Sequence, residues 1–346
     1  MSIARYLTKL GALLNSNGQV TALGLDPYAV QVGMKNRIIN GAMMIDQRNA
    51  GASFTNSNTS VYGVDRWITS GLTSAVLTFQ QVADAPAGYK NSFKCTVTTS
   101  TTANDQGGIS QRVEANNAYD LMWGNSAGQS ATLSFWVKAS TAGTYCAAFT
   151  YFGGTATYYY VAPYTVTANT WTQVSLTIPS APGGAGDFSG AMNTQYLYVQ
   201  LVTLGSSGNT TYATANTWSS TAAYKTSGSI NLASTSSATI QFTGVQLEKG
   251  STATSFDYRP YGTELALCQR YYEKLRFLLA ANYTAGGTTG NVIWFFKVEK
   301  RAVPTVSLAS GSNVTPNTLD VDGFMGYTGG ATYPYIYAGS TATAEL

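Results

Sequence analysis

The sequence predicts a mainly β chain: an antiparallel β-sandwich, preceded by a short N-terminal helix and followed by a helix with a small β-sheet. Three observations carry this. Apolar and polar residues alternate in run after run between about residues 36 and 260; turns rich in Gly, Asn, Ser and Pro separate the runs; and no helical segments interleave them. The 346 residues are too many for one typical core, so more than one domain is expected. The expected division is an N-terminal helix and linker over 1–35, the sandwich over 36–260 and a C-terminal domain over 261–346.

The first helix spans residues 2–14. Ser2 can cap it, and Ile3, Tyr6, Leu7, Leu10, Leu13 and Leu14 fall on one stripe. A helix this short is marginal alone, so the stripe must pack on copies of itself or on a docking partner. In the sandwich, "ATLSFWVKAS" puts Leu133, Phe135 and Val137 on one face, and "TWTQVSLTIP" points Val174, Leu176 and Ile178 inward. "QYLYVQLVTL" reads as apolar on both faces, like a central strand. In "ATIQFTGVQLEKG", Ile240 and Phe242 share a parity that Val245 and Leu247 break, so a β-bulge at Gly244 would bring all four to the core. This is the expected last strand of the sandwich. "GTELALCQRYYEKLRFLLA" then predicts a helix capped by Thr263, with Glu264 in its first turn, Lys274 and Arg276 late, and Leu265, Cys268, Tyr272, Leu275 and Leu279 buried. Further strands follow to the end.

Composition excludes several classes of function. With no histidine, there is no Ser-His-Asp or Cys-His nucleophile, no His-ligated zinc and no histidine pH switch. Three scattered cysteines argue against a disulfide framework and read as buried apolar residues. A net charge of +3 without a basic cluster gives nucleic-acid binding no support. No run approaches the ~20 apolar residues of a membrane span, so no membrane insertion is expected. The first residues lack a cleavage site, so no signal peptide is expected.

Several motifs in series resemble one family. "NRIINGAMMIDQRNAG" (36–51) with "YGVDRW" (62–67) is similar to the opening of bacteriophage tail-fibre and related prophage proteins. "SATLSFWVKAS", "TWTQVSLTIP" and "GVQLEKGSTATSFDYRP" resemble the jelly-roll, carbohydrate-binding-module-like domain of that family. "ELALCQRYYEK", "KRAVPTVSL" and the final "AEL" resemble its compact C-terminal domain. The resemblance covers roughly residues 36–346. It implies a virion appendage protein, a homotrimer assembled in the host cytoplasm, joined to other virion proteins through its N-terminus. Attachment to a host surface glycan or protein receptor is the implied task. The competing readings are a purely structural virion protein (a capsid decoration fibre or tail adaptor) and a polysaccharide depolymerase.

Candidate chemistry is sparse. A glycosidase needs two carboxyls about 5–10 Å apart across a cleft. The local pairs are Asp320 with Asp322, and Glu114 with Asp120; a plain turn suits "DVDG" better, so no catalytic residue and no enzyme activity are expected. Sugars bind to aromatic faces and polar side chains. Tyr158, Tyr160, Tyr164, Tyr212 and Trp218 stand in polar, loop-like contexts, and Tyr327, Tyr333 and Tyr335 in a glycine-rich stretch suited to a distal tip. Taken singly, each is better read as lining a contact between copies or an ordinary strand surface. No cofactor is expected. Jelly rolls of this kind often hold a structural calcium near their first and last strands, which singles out Glu248 with Asn40 or Asp46, although a surface Glu beside Lys249 is the preferred reading. Asp65, Arg66, Asp257 and Arg259 are expected as structural ion pairs under aromatic lids.

Overall fold

The computed structural model describes residues 34–346 apart from 104–106, 185, 187, 189–195, 206–210, 276–277, 280–288, 311 and 330–334. The helix expected at 2–14, with Ile3, Tyr6, Leu7, Leu10 and Leu14, lies outside the described residues. Arg37–Leu346 forms one compact unit.

Two antiparallel sheets make a β-sandwich. The first holds β1 (Phe54–Asn56), β4 (Val76–Val82), β5 (Ser92–Thr99), β7 (Ala131–Ala139), β10 (Thr172–Ile178) and β13 (Thr239–Lys249), in the order β1-β4-β5-β13-β7-β10. The second holds β2 (Ser60–Tyr62), β3 (Ile68–Ser70), β6 (Gly108–Glu114), β8 (Gly143–Phe152), β9 (Thr157–Val166), β11 (Tyr196–Thr203) and β12 (Trp218–Ser219), in the order β12-β9-β8-β11-β6-β3-β2. Period-2 alternation sends Phe79, Phe93, Leu133, Phe135, Val137, Phe149 and Val199 into one core between them.

β13 crosses the middle of the first sheet and carries the expected bulge. Its register on β7 shifts between Thr243 and Gln246, and Ile240, Phe242, Val245 and Leu247 are all fully buried. Gly244 makes this shift with φ +61°, and a Cβ there would stand 2.6 Å from the Tyr89 ring. The next segment folds back over the outer side of β13. Asp257 donates its backbone N–H to Gln246 Oε1 at 2.8 Å, while Tyr89, Phe256 and Tyr258 pack edge to face and tilted at 4.8–5.7 Å.

The chain then enters α1 (Tyr261–Gln269), β14 (Tyr272–Lys274), β15 (Leu278–Leu279), β16 (Thr289–Phe295), β17 (Thr305–Ser307), β18 (Thr315–Leu319), β19 (Gly323–Gly329), β20 (Tyr335–Ile336) and β21 (Thr341–Thr343). These strands form the sheets β14-β21-β17, β15-β20 and β16-β19-β18 over a small core of Leu275, Phe296, Val314, Phe324 and Ile336.

α1 is shorter than expected and starts earlier. Pro260, not Thr263, precedes its first residue, and it stops at Gln269. Tyr272, Glu273 and Lys274 pair with Thr343, Ala342 and Thr341 instead. Adjacent tyrosines lose side-chain freedom in a helix and fit a strand. On β14, moreover, Glu273 is buried against Lys300 at 2.8 Å, a partner a continued helix would not give it.

Candidate functional site

The outer face of the second sheet carries the site. Alternation on β11 sends Leu197, Val199 and Leu201 to the core and leaves Tyr196, Tyr198 and Gln200 outside. Registered beside them stand Ser110 and Arg112 of β6, and Thr150 of β8. On β9 the neighbour of Thr150 is Tyr159.

The segment over 211–226 lies across part of this face. Tyr224 and Ala213 pack on Cys146, Ala148 and Val161, and Tyr224 meets Tyr159 edge to face at 5.8 Å. What stays open is a groove of about 340 Å³, lined by Tyr196, Tyr198, Tyr224, Arg112, Gln200 and Thr150 among others.

The groove side chains are held in place. Ser110 Oγ donates to Tyr198 Oη at 2.7 Å, and Gln200 Nε2 donates to Thr203 Oγ1 at 2.6 Å. Thr203 Oγ1 donates in turn to the Tyr224 carbonyl at 2.7 Å. Arg112 lies 5.1 Å from the Tyr196 ring centroid and donates to the Leu346 backbone oxygen. Burial raises the Tyr224 phenol above its ordinary range, so it remains a neutral donor. Half-buried tyrosine faces beside fixed hydroxyl, amide and guanidinium groups can cover the C–H surface of a sugar while bonding its hydroxyls.

The described tyrosines singled out from the sequence lie away from this groove. Tyr158, Tyr160 and Tyr164 are not in a loop but on β9, where they share the inward parity; Tyr160 is 2% and Tyr164 6% exposed. Burial also raises both phenols, that of Tyr164 well above its usual range. Trp218 pairs with Tyr160 on β12 and packs at 5.2 Å on Tyr160 and 5.6 Å on Trp123, as a lid over the core edge. Tyr212 is exposed, with Lys225 Nζ 5.6 Å from its ring centroid, and does not line the groove. Tyr327 is exposed on β19, Tyr335 is on β20, and Tyr333 lies outside the described residues. The groove residues that the sequence did not single out are Tyr196, Tyr198, Tyr224 and Arg112. The alternation in "QYLYVQL" carried the signal for two of them, because that strand is aromatic and polar on its outer face.

The carboxylates have other partners. Glu114 is buried 3.4 Å from Arg270, and the exposed Asp120 pairs with Arg37 at 2.7 Å. Asp320 and Asp322 lie in the tight turn joining β18 and β19, where Asp320 N–H reaches the Gly323 carbonyl at 2.9 Å. Glu248 is not a surface residue: it is 1% exposed beneath the segment that folds back over β13. Its Oε1 accepts from Gln246 Nε2 at 2.9 Å and Thr254 N–H at 2.8 Å, and its Oε2 from Thr254 Oγ1 at 2.6 Å. Donors aimed at both oxygens do not suit a cation, which needs acceptors around it. Asn40 bonds the Ile45 and Asp65 carbonyls, and Asp46 accepts from Asn49 and Gly51. Among the described residues no cluster of three metal-ligating side chains occurs.

Ion pairs fasten the C-terminal elements to the sandwich. Arg259 lies 3.3 Å from Glu264 and 3.7 Å from Asp257, and donates to the Ile38 carbonyl at 3.1 Å. Arg66 pairs with Glu345, and Arg48 stands 3.0 Å from Glu345 and 3.7 Å from Asp65.

No family model matches the chain, and no curated protein matches it. Among solved structures it is similar to the enzymatically active domain of tailspike protein 4 of bacteriophage CBA120, at 13% identity and TM-score 0.33 over 62% of this chain. The chain spans 21% of that domain's length. The CBM22-1 xylan-binding domain from Paenibacillus barcinonensis Xyn10C gives 16% and 0.30, over 59% of this chain and 99% of its own length. The family 11 carbohydrate-binding module of a Clostridium thermocellum cellulosomal cellulase gives 12% and 0.30, over 60% and 99%. At these scores the likenesses carry no functional weight.

Proposed function

We propose that the chain is a non-enzymatic glycan-binding protein whose site is the groove on the outer face of the second sheet. The observation that carries this is Tyr196, Tyr198 and Tyr224 standing around one polar groove with Arg112 and Gln200. Among the described residues its lining includes no carboxylate, which supports binding over hydrolysis. In keeping with the resemblance of its motifs, the biological setting is attachment of a phage particle to its host's surface. There the chain acts as a homotrimer, and weak sites gain strength through multivalency. Glycan-array binding by the intact chain tests the reading. Retention on at least one bacterial surface glycan is expected, lost on Tyr198→Ala with thermal melting little changed, and on Tyr224→Ala measured well below its lowered melting temperature. Binding that survives both substitutions overturns the groove assignment.

A further inference from the structure

The sheet β16-β19-β18 has two unlike faces. Trp294 and Phe324 pair across it and turn toward the small C-terminal core. The opposite parity places Ile293 beside Met325, with Phe295 and Tyr327 at diagonal corners. These four are 55%, 47%, 74% and 40% exposed. Phe295 has Gly323 as its cross-strand partner, so no side chain covers its ring from that position.

Large side chains of this kind bury about 200 Å² or more each, so the exposed fractions amount to about 500 Å² of mostly apolar surface. A contiguous patch of that size is at the upper end of what monomers leave in water. Identical faces brought together would each bury about 500 Å², a total of at least about 1,000 Å², which is the least a specific interface needs.

The composition of the face selects its occupant. Among the described residues, those exposed on β16, β18 and β19 are Ile293, Phe295, Thr315, Asn317, Thr318, Met325 and Tyr327, none charged. A charged partner would find no complement here, and a sugar would find few hydrogen-bonding groups beside the apolar side chains. A second copy presents the same uncharged face, so no like charges oppose and each apolar side chain meets another. The geometry points to this face as a self-association surface, on which copies of the chain pack sheet against sheet. This contact rests on the proposed homotrimer, within which it lies, and not on the groove.

Sedimentation velocity of the full chain from ten micromolar to tens of nanomolar tests it, alongside Phe295→Glu, Met325→Glu and the control Tyr212→Glu. The wild type and the control are expected to associate, and the two face variants to dissociate at concentrations at least tenfold higher, with circular dichroism unchanged. If a face variant fails to fold, Ile293→Cys provides an independent measurement. The native cysteines are buried, and packed sheets lie about 10 Å apart, so a short bismaleimide should link two copies through the thiols introduced by Ile293→Cys. A wild type that is monomeric throughout, an oligomer indifferent to Phe295→Glu and Met325→Glu, or a folded Ile293→Cys chain that does not cross-link would overturn the inference.

Discussion

The Arg66 guanidinium lies 3.5 Å from the centroid of the Tyr271 ring while pairing with Glu345. Arg66 is 1% exposed, and its backbone is in the left-handed region at φ +73°. One residue of the sandwich thus holds both the start and the end of the C-terminal strands. Breaking a buried pair from one side typically costs about 3–5 kcal/mol because the remaining charge stays buried. Glu345→Ala is expected to lower the unfolding free energy by about that amount. The smaller change Glu345→Gln, which keeps an acceptor, should cost less. Urea unfolding checks both.

Asp65 gives a pH signature. Burial, a larger effect than the opposing attraction of Arg48, pushes its carboxyl from 3.8 up to about 6. Between about pH 4 and 6 the folded chain therefore holds a proton that the unfolded chain has released. This group's contribution to stability is full below that window, falls as pH rises through it and is flat above. The loss is bounded at about 3 kcal/mol. Melting of the wild type and Asp65→Asn in parallel should show the wild type losing ground to the variant between pH 4 and 7. A wild type that gains ground over that range would contradict the assignment.

Gly244→Ala should be costly. The added methyl combines a left-handed backbone with a 2.6 Å approach to the Tyr89 ring. A loss of about 2 kcal/mol is expected, from about 1 for the left-handed backbone and the rest from the clash. Tyr89→Ala in the same chain removes the clash, so double-mutant melting should show the two changes to be non-additive.

Trp218→Ala separates packing from recognition. Its ring covers Trp123 and Tyr160, and its Nε1 donates to the Pro179 carbonyl at 3.1 Å. Truncation is expected to cost about 2–4 kcal/mol in stability. Glycan binding measured well below the melting temperature should change little. Tyr198→Ala should show the reverse pattern.

The sandwich could be read from the sequence because its period-2 signal repeats from strand to strand. The bulge at Gly244 could be read as well, since a parity slip at a glycine has one economical explanation. The end of α1 could not. "QRYYEK" suits a helical stripe until Lys300 and Thr341–Thr343 are known to supply Glu273 and the tyrosines with partners, and those partners are distant in sequence. The groove was half legible. "YYYVAPY" looks like a loop by composition, yet alternation assigns Tyr158, Tyr160 and Tyr164 to one face and Tyr159 to the other. Which face is the core depends on the strands beside it. Tyr224 reaches the site through an irregular segment whose path no periodicity records.

Glu345 follows Arg66 by 279 residues. At roughly 5–20 residues per second, the ribosome needs about 15–60 s to synthesise that interval. From the completion of β13 until Glu345 is made, the sandwich must hold its arginine without this counterion, and at first without the Tyr271 ring. A nascent sandwich is therefore a waiting state, and it is the emergence of Glu345 that locks the fold.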